Sequence, residues 1–332
     1  MGNGGNRRVA VGSSCLSHRE NAMAFALRLD RAMQANLTRI VDRQLRKALA
    51  ELAIAPSDSR LADHVHQVRK RMKMLRGLLR LMRDAMPPDM YRRENAALRD
   101  AANALSGSRD AQVCVDTFDT LVPAETLKDE ARQLAPLREA LVAARDRLLA
   151  GAEADKNQNG NGNNTADHLA SARAELEAVR ERLPSWRLTE KGFKAVAGGL
   201  KKVYGQGRTA FTQAYSSGDD GDFHEWRKQV KYHWYHMRLL HPLWPAAQRA
   251  RAKELKLLAE RLGDEHDLTM LREELPRLEG LEEGIVAELE WRASRRQLTL
   301  REDARRLGGL LYAESPKALC RRYRRFWKVA RS

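Results

Sequence analysis

The chain lacks what most enzyme, secretory and membrane classes require. Three cysteines occur in 332 residues, Cys15, Cys114 and Cys320. Far apart and odd in number, they build neither a disulfide framework nor a zinc spacing, which points to a reducing cytoplasm. No run of about 18 apolar residues exists, so no membrane-spanning helix is expected. Met1 to Ser14 has no apolar h-region and does not read as a secretory signal. Asn6 stands where a myristoylation motif needs Ser or Thr,. Alternating β-branched runs are missing, so no sheet is expected. Walker loops, dinucleotide fingerprints and nucleophile elbows are absent, and no cofactor is implied.

What the chain has in excess is positive charge. Lys and Arg number 60 against 44 Asp and Glu, a net charge of +16. Residues 1–150 and 151–332 each carry +8, so the excess is not confined to a tail. A folded protein this basic meets a polyanion: nucleic acid, an anionic membrane or a phosphate polymer. Hydrophobic residues at 43% suffice for a large core. Ala, Leu, Arg, Glu and Lys dominate, all good helix formers. The composition predicts an all-α chain, with helices near 19–53, 61–85, 89–105, 110–120, 125–149, 168–182, 190–216, 222–241, 246–262, 267–292, 294–310 and 316–330. Residues 1–17 read as a disordered tail, and 151–167, rich in Asn and Gly, as a flexible linker between helical halves at 18–150 and 168–332.

Two segments repeat at an offset of 158 residues. His66, Arg69, Lys70, Lys73 and Arg80 align with His224, Arg227, Lys228, Lys231 and Arg238, and the apolar Val65, Val68 and Met72 with Phe223, Trp226 and Val230. Each copy is followed by a second marker, Leu105 to Asp110 and Leu262 to Asp267. The pattern predicts a tandem duplication: two four-helix-bundle-like halves about a pseudo-two-fold axis, with a central basic groove. On the first helix, Val68, Met72, Leu75 and Leu79 form the core stripe. His66, Arg69, Lys70, Lys73, Arg76 and Arg80 form a second stripe, with no acid from His66 to Arg83. Like charges at i,i+4 each cost a few tenths of a kcal/mol, so a helix that keeps them uncompensated is built for an external anion. Tyr232 and Tyr235 add hydroxyl donors beside the second stripe. Asp110 and Asp267, each after a Gly-containing turn, read as N-caps.

These residues resemble the CHAD family, the conserved-histidine α-helical domain. Its hallmark is a His-x-x-Arg-x-x-x-(Arg/Lys)-x-x-Arg helix in each of two halves. His66-Arg69-Lys73-Arg76 fits it; His224-Arg227-Lys228-Lys231 fits as far as Lys231, but position 234 is Trp. The Leu105–Asp110 and Leu262–Asp267 segments resemble the family's Leu-Gly-x-x-(Arg/Asn)-Asp turn, with His266 in place of Arg or Asn. Gly199 to Arg208 resembles a further basic motif. The resemblance spans about residues 18–330. It implies binding of inorganic polyphosphate in a basic groove, at cytoplasmic polyphosphate granules, without catalysis. It also implies a ligand set of His66, Arg69, Lys73, Arg76, Lys201, Lys202, Arg208, His224, Arg227, Lys228 and Lys231; helix periodicity adds Lys70, Arg80 and Arg238.

Two rival readings remain. An HD-type metal phosphohydrolase would use His224, His266-Asp267 and Asp303 as ligands, but Arg109, which matches His266, cannot ligate metal. Sequence-independent nucleic-acid binding suits the charge, yet aromatics at 6% leave few stacking platforms,, so nucleic acid is expected to be a weak partner. Arg69→Glu with Arg227→Glu should cost far more polyphosphate affinity than reversal of the surface Arg92 and Arg93. Equal losses in a titration would mean diffuse electrostatics.

Overall fold

The computed structural model of the chain describes residues 25–55, 58–105, 109–123, 128–158 and 165–332. Among them no strand occurs, as the composition predicts. Eleven helices follow one another: α1 (Met33–Glu51), α2 (Leu61–Met82), α3 (Pro88–Ala104), α4 (Arg109–Leu121), α5 (Lys128–Gln158), α6 (Thr165–Arg182), α7 (Lys194–Ser217), α8 (Asp220–Leu239), α9 (Pro245–Glu274), α10 (Glu283–Leu311) and α11 (Pro316–Val329).

Local chemistry sets the ends that matter. Gly218 closes α7 at φ 72°, a left-handed position that glycine takes without a Cβ clash. Asp219 then caps α8, its Oδ1 accepting from the N–H groups of Gly221 at 2.8 Å and Asp222 at 3.2 Å,. Ser315 caps α11 by accepting from Ala318 N–H at 3.2 Å, and Pro316 fills the first helical position,.

In the first half α1 packs on α2, α2 on α3 and α4 on α5; in the second α7 packs on α8, α8 on α9 and α9 on α10. Packing also crosses between the halves: α6 lies on α3 and α1, α4 on α9, and α2 on both α7 and α8. The main core therefore joins residues such as Leu37, Leu75 and Leu79 to Trp186, Trp226 and Tyr323. A smaller core holds Phe118 and Leu137 against Leu271 and Leu289. The hydrophobic cores do not divide at 151–167.

Three expectations need correction. First, α5 runs to Gln158 and α6 begins at Thr165, so helix covers most of the expected linker; 159–164 and the expected tail 1–17 lie outside the described residues. Second, residues 25–32 are not helical and α1 starts at Met33, where one helix over 19–53 is expected; 19–24 lie outside the described residues. The reason is Asn36, whose side chain accepts from Arg28 N–H at 2.7 Å and donates to Arg28 C=O at 2.8 Å. That clamp holds Phe25 to Arg28 as a non-helical lead-in, tied to α8 by Leu27 N–H on Leu239 C=O at 2.9 Å. Third, α9 is one continuous helix through Leu262–Asp267. Gly263 is buried inside it and makes no turn, so Asp267 caps nothing; the Asp110 side chain and residues 106–108 lie outside the description.

A Cβ at Gly199 would overlap the backbone carbonyl oxygens of Arg80 and Leu81, whereas one at Gly309 meets nothing within 4 Å. Gly199→Ala should therefore lower stability by about 3 kcal/mol or more. Gly309→Ala, in an open helical position, should raise it by ~0.5–1 kcal/mol. Urea denaturation of both variants checks the pair.

Candidate functional site

The site is organised by the crossing of α2 and α8. A Cβ on Gly77 would lie 2.9 Å from Tyr235 Cβ, so only glycine lets the two helices approach this closely. His236 Nε2 donates to Gly77 C=O at 3.1 Å; a carbonyl can only accept, which places the proton on Nε2. Three residues on, the Arg80 guanidinium lies over the Tyr232 ring, 4.1 Å from its centroid. Ascending α2 from Gly77 to Arg80 thus descends α8 from Tyr235 to Tyr232, so the helices cross antiparallel. Gly77 and Tyr235 are themselves equivalent positions at the 158-residue offset.

On α2, His66, Lys70 and Lys73 are exposed, and Arg69, Arg76 and Arg80 are half-buried. Arg69 Nη1 donates to Leu105 C=O at 3.3 Å, and Arg76 Nε to Asn95 Oδ1 at 3.3 Å. Partial desolvation, then the fields of Arg238, Arg71 and Lys256, lower the pKa of Lys70. That places the wheel-derived Arg238 near the N-terminal half of the α2 stripe. Arg238 lies over the rings of Phe25 and Trp234, at 5.3 and 5.0 Å. Trp234 thus serves as a platform for Arg238 at the position where the family pattern has Arg.

On α8, Arg227 reaches across to α9: its Nη2 stands 3.6 Å from the Cβ position of Gly263. Gly263 is to Arg227 what Leu105 is to Arg69, 36 residues on in each copy. The backbone at this glycine is helical and does not turn the chain, and the guanidinium lies against it within van der Waals distance. The rings of His224 and His266 stack with centroids 4.3 Å apart. Burial, then the cations Lys228 and Arg227, lower the pKa of His224. Burial, then His224, Arg227 and Lys231, push His266 down to about 4. Both rings are neutral near pH 7 beside three cations. Lys228 pairs with Glu225, whose carboxylate also accepts from Gln229 Nε2 at 2.6 Å.

The third expected segment lies apart. Lys201 and Lys202 line a cleft of about 820 Å³ together with Asp84, Asp222 and Glu225. Its α8 residues Glu225 and Gln229 stand ~160° around the helix from Arg227. The cleft therefore mixes charges and faces away from the α8 basic stripe. Arg208 is exposed further along α7 and does not line it. Tyr235 also departs from expectation: it is 4% exposed and packs edge-on to Phe25, so its hydroxyl is not presented beside the stripe.

Sequence reading missed the support beneath the site. Glu265, buried on α9, accepts from Arg301 Nε at 2.9 Å and Gln297 Nε2 at 3.0 Å. Arg301 also bonds Asp220 at the start of α8 and lies 4.0 Å over the Phe223 ring. No i,i+4 pattern signals an ion network spread over three helices. The metal-ligand set fares differently: Asp303 lies 3.6 Å from Arg261, and among the described residues no three His, Cys, Asp or Glu side chains are grouped to hold a metal ion. Arg93 is also less peripheral than expected, its Nε 2.8 Å from the fully buried Glu94 carboxylate. Only Arg92 remains a surface control.

The CHAD domain model matches residues 39–276. Among solved structures, PptA from Streptomyces chartreusis superposes with a TM-score of 0.58 at 11% identity, covering 86% of this chain and 100% of its own. The CHAD domain from the plant Ricinus communis superposes with a TM-score of 0.54 at 21% identity, covering 88% and 96% respectively. At these identities the likeness is one of fold. No curated protein matches the chain.

Five histidines are held neutral by burial: His224, His233, His236, pushed down to about 3, His241 and His266. Their folded pKa values lie below the unfolded value of about 6.5, so the unfolded chain binds more protons. The stability they contribute is fully present above that value and is lost as pH falls toward about 4,. Burial raises the Glu265 and Asp264 carboxyls, which act in the opposite sense at the acid end. Thermal unfolding between pH 7 and 5 should lose stability at up to ~1.4 kcal/mol per pH unit for each histidine, and His266→Asn should flatten the slope.

Proposed function

The chain belongs to the CHAD family, and on that premise we propose that it binds linear inorganic polyphosphate without catalysis, along the basic faces of α2 and α8. The observation that carries this reading is the paired placement of Arg69 and Arg227. Each sits on a helix stripe free of acids from its histidine through the crossing, save Glu225, and each reaches the start of its second marker, Arg69 at Leu105 and Arg227 at Gly263, the residue after the matching Leu262. The α2 stripe from His66 to Arg80 extends ~21 Å at 1.5 Å per residue, long enough for a chain ligand rather than a single phosphate. Arg offers bidentate geometry to phosphoryl oxygens, and Lys a mobile point charge.

The site is loaded with charge but not with protons. His224 and His266 are neutral among cations, and a bound polyanion reverses the local field, which raises the pKa of an imidazole. Binding therefore takes up protons and tightens as pH falls through the liganded pKa. Lys228, shared with Glu225, and the mixed cleft at Lys201 and Lys202 make the second half a less even grip than the first. Association with cytoplasmic polyphosphate granules is part of this reading, as is descent of the two halves from one duplicated unit; the contact between equivalent positions Gly77 and Tyr235 supports the latter.

Titration calorimetry with polyphosphate of defined length, at ~150 mM salt where exposed charges are screened beyond about 8 Å, tests the reading. Saturable binding with proton uptake is expected, together with a loss of about tenfold or more, ~1.4 kcal/mol, for Arg69→Glu with Arg227→Glu. Arg92→Glu should leave affinity nearly unchanged. Duplex DNA of matched charge should bind the α2 and α8 faces more weakly and be displaced by polyphosphate; a duplex preference that the Arg69/Arg227 reversal abolishes would replace this function with general nucleic-acid binding.

A further inference from the structure

The C-terminal helix lies outside residues 39–276, the segment matched by the family model, and outside both basic stripes. From Ser315 to Ser332 the chain has seven Lys and Arg and no Asp or Glu. Its apolar residues Leu319, Tyr323 and Trp327, spaced four apart, are buried, and Tyr323 OH donates to Gln248 Oε1 at 2.7 Å. The helix is thus locked to the body by its apolar side, with Arg321, Arg325 and Lys328 exposed to solvent. Arg321, Arg322, Arg325 and Phe326 line a shallow cleft of about 540 Å³. Beside it stands Trp244, 52% exposed, edge-on to Phe326 with 5.2 Å between centroids. Trp244 precedes Pro245, and Arg249 and Arg251 follow on α9 before its first acid, Glu254.

We propose that α11 and Trp244 form a second site, which binds single-stranded nucleic acid: guanidinium groups hold the phosphates and a base stacks on the open indole. Each rival polyanion leaves a feature unused. Inorganic polyphosphate has no ring to stack on Trp244. A duplex keeps its bases stacked internally. An anionic membrane takes up an amphipathic helix through an apolar face, and here that face is spent on the core. A cationic track beside a half-exposed aromatic is the arrangement that holds single strands with little sequence preference. The site is independent of the polyphosphate groove.

Fluorescence anisotropy of labelled oligo-dT and oligo-rU with the full chain tests it. Arg321→Glu with Arg325→Glu should weaken oligonucleotide binding about tenfold or more and lower the log–log salt slope by ~1.4, at about 0.7 per lost contact. Trp244→Ala should weaken it about fivefold or more, while Trp244→Phe, which retains a ring, should stay near the parent. Circular dichroism melts identify any variant that has lost its fold, and Trp244→Phe keeps the test open if Trp244→Ala has. Polyphosphate affinity should be unchanged in all three variants, and Arg69→Glu with Arg227→Glu should spare the oligonucleotide. The proposal is overturned if Trp244→Ala binds as the parent does, or if the Arg69/Arg227 variant loses the oligonucleotide as strongly as the α11 variant. It is also overturned if α11 reversal abolishes binding to phosphatidylserine vesicles yet leaves the oligonucleotide bound.

Discussion

The close crossing of α2 and α8 at Gly77 is the constraint on which the rest depends. The basic stripes of the two helices repel, and nothing in those stripes draws them together. What holds them is apolar and backbone contact on the neighbouring arc: Tyr235 against Gly77, His236 on the Gly77 carbonyl, and the Arg80 guanidinium over Tyr232. Cation–π contact of this kind contributes about 0.5–2 kcal/mol and places an arginine against a ring while leaving its charge uncompensated. Arg238 repeats the device over Phe25 and Trp234. These two cations keep their charge because aromatic faces, rather than carboxylates, position them.

Carboxylates are used one layer further out. Glu265 and Asp220 converge on Arg301 and tie the start of α8 to α9 and α10. Removing one partner from a buried pair costs about 3–5 kcal/mol, because a charge is left stranded. Such a network contributes more to registry than to net stability. Here the registry is that of α8 against α9, and it sets where Arg227 meets Gly263 and where His224 meets His266.

The helical class was legible because composition and periodicity are averaged over many residues, and the likeness between the His66 and His224 segments because each can be read against the other. The stripes at His66–Arg80 and His224–Arg238 follow from helix geometry alone. What escaped were facts that depend on a partner element. Gly263 read as a turn, since glycine signals one locally; its place inside a continuous α9, against Arg227, is visible only with α8 and α9 folded together. Arg93 read as a surface charge until α3 placed Glu94 in the core with Arg182. The family resemblance implies Lys201 and Lys202 as groove residues, yet the face they share with Asp222 and Glu225 is fixed by how α7 lies on α8.

The main core has a consequence for synthesis on the ribosome. Helix α2 emerges early, but Tyr235, which seats against Gly77, comes 158 residues later. At about 5–20 residues per second that is a delay on the order of ten to thirty seconds. During that interval the apolar side of α2 has only α1, α3 and, late in the interval, α7 to cover it, and its cationic side faces a ribosome made largely of RNA. The nascent chain therefore passes through a stage in which its most basic helix is complete while the fold that orients it is not.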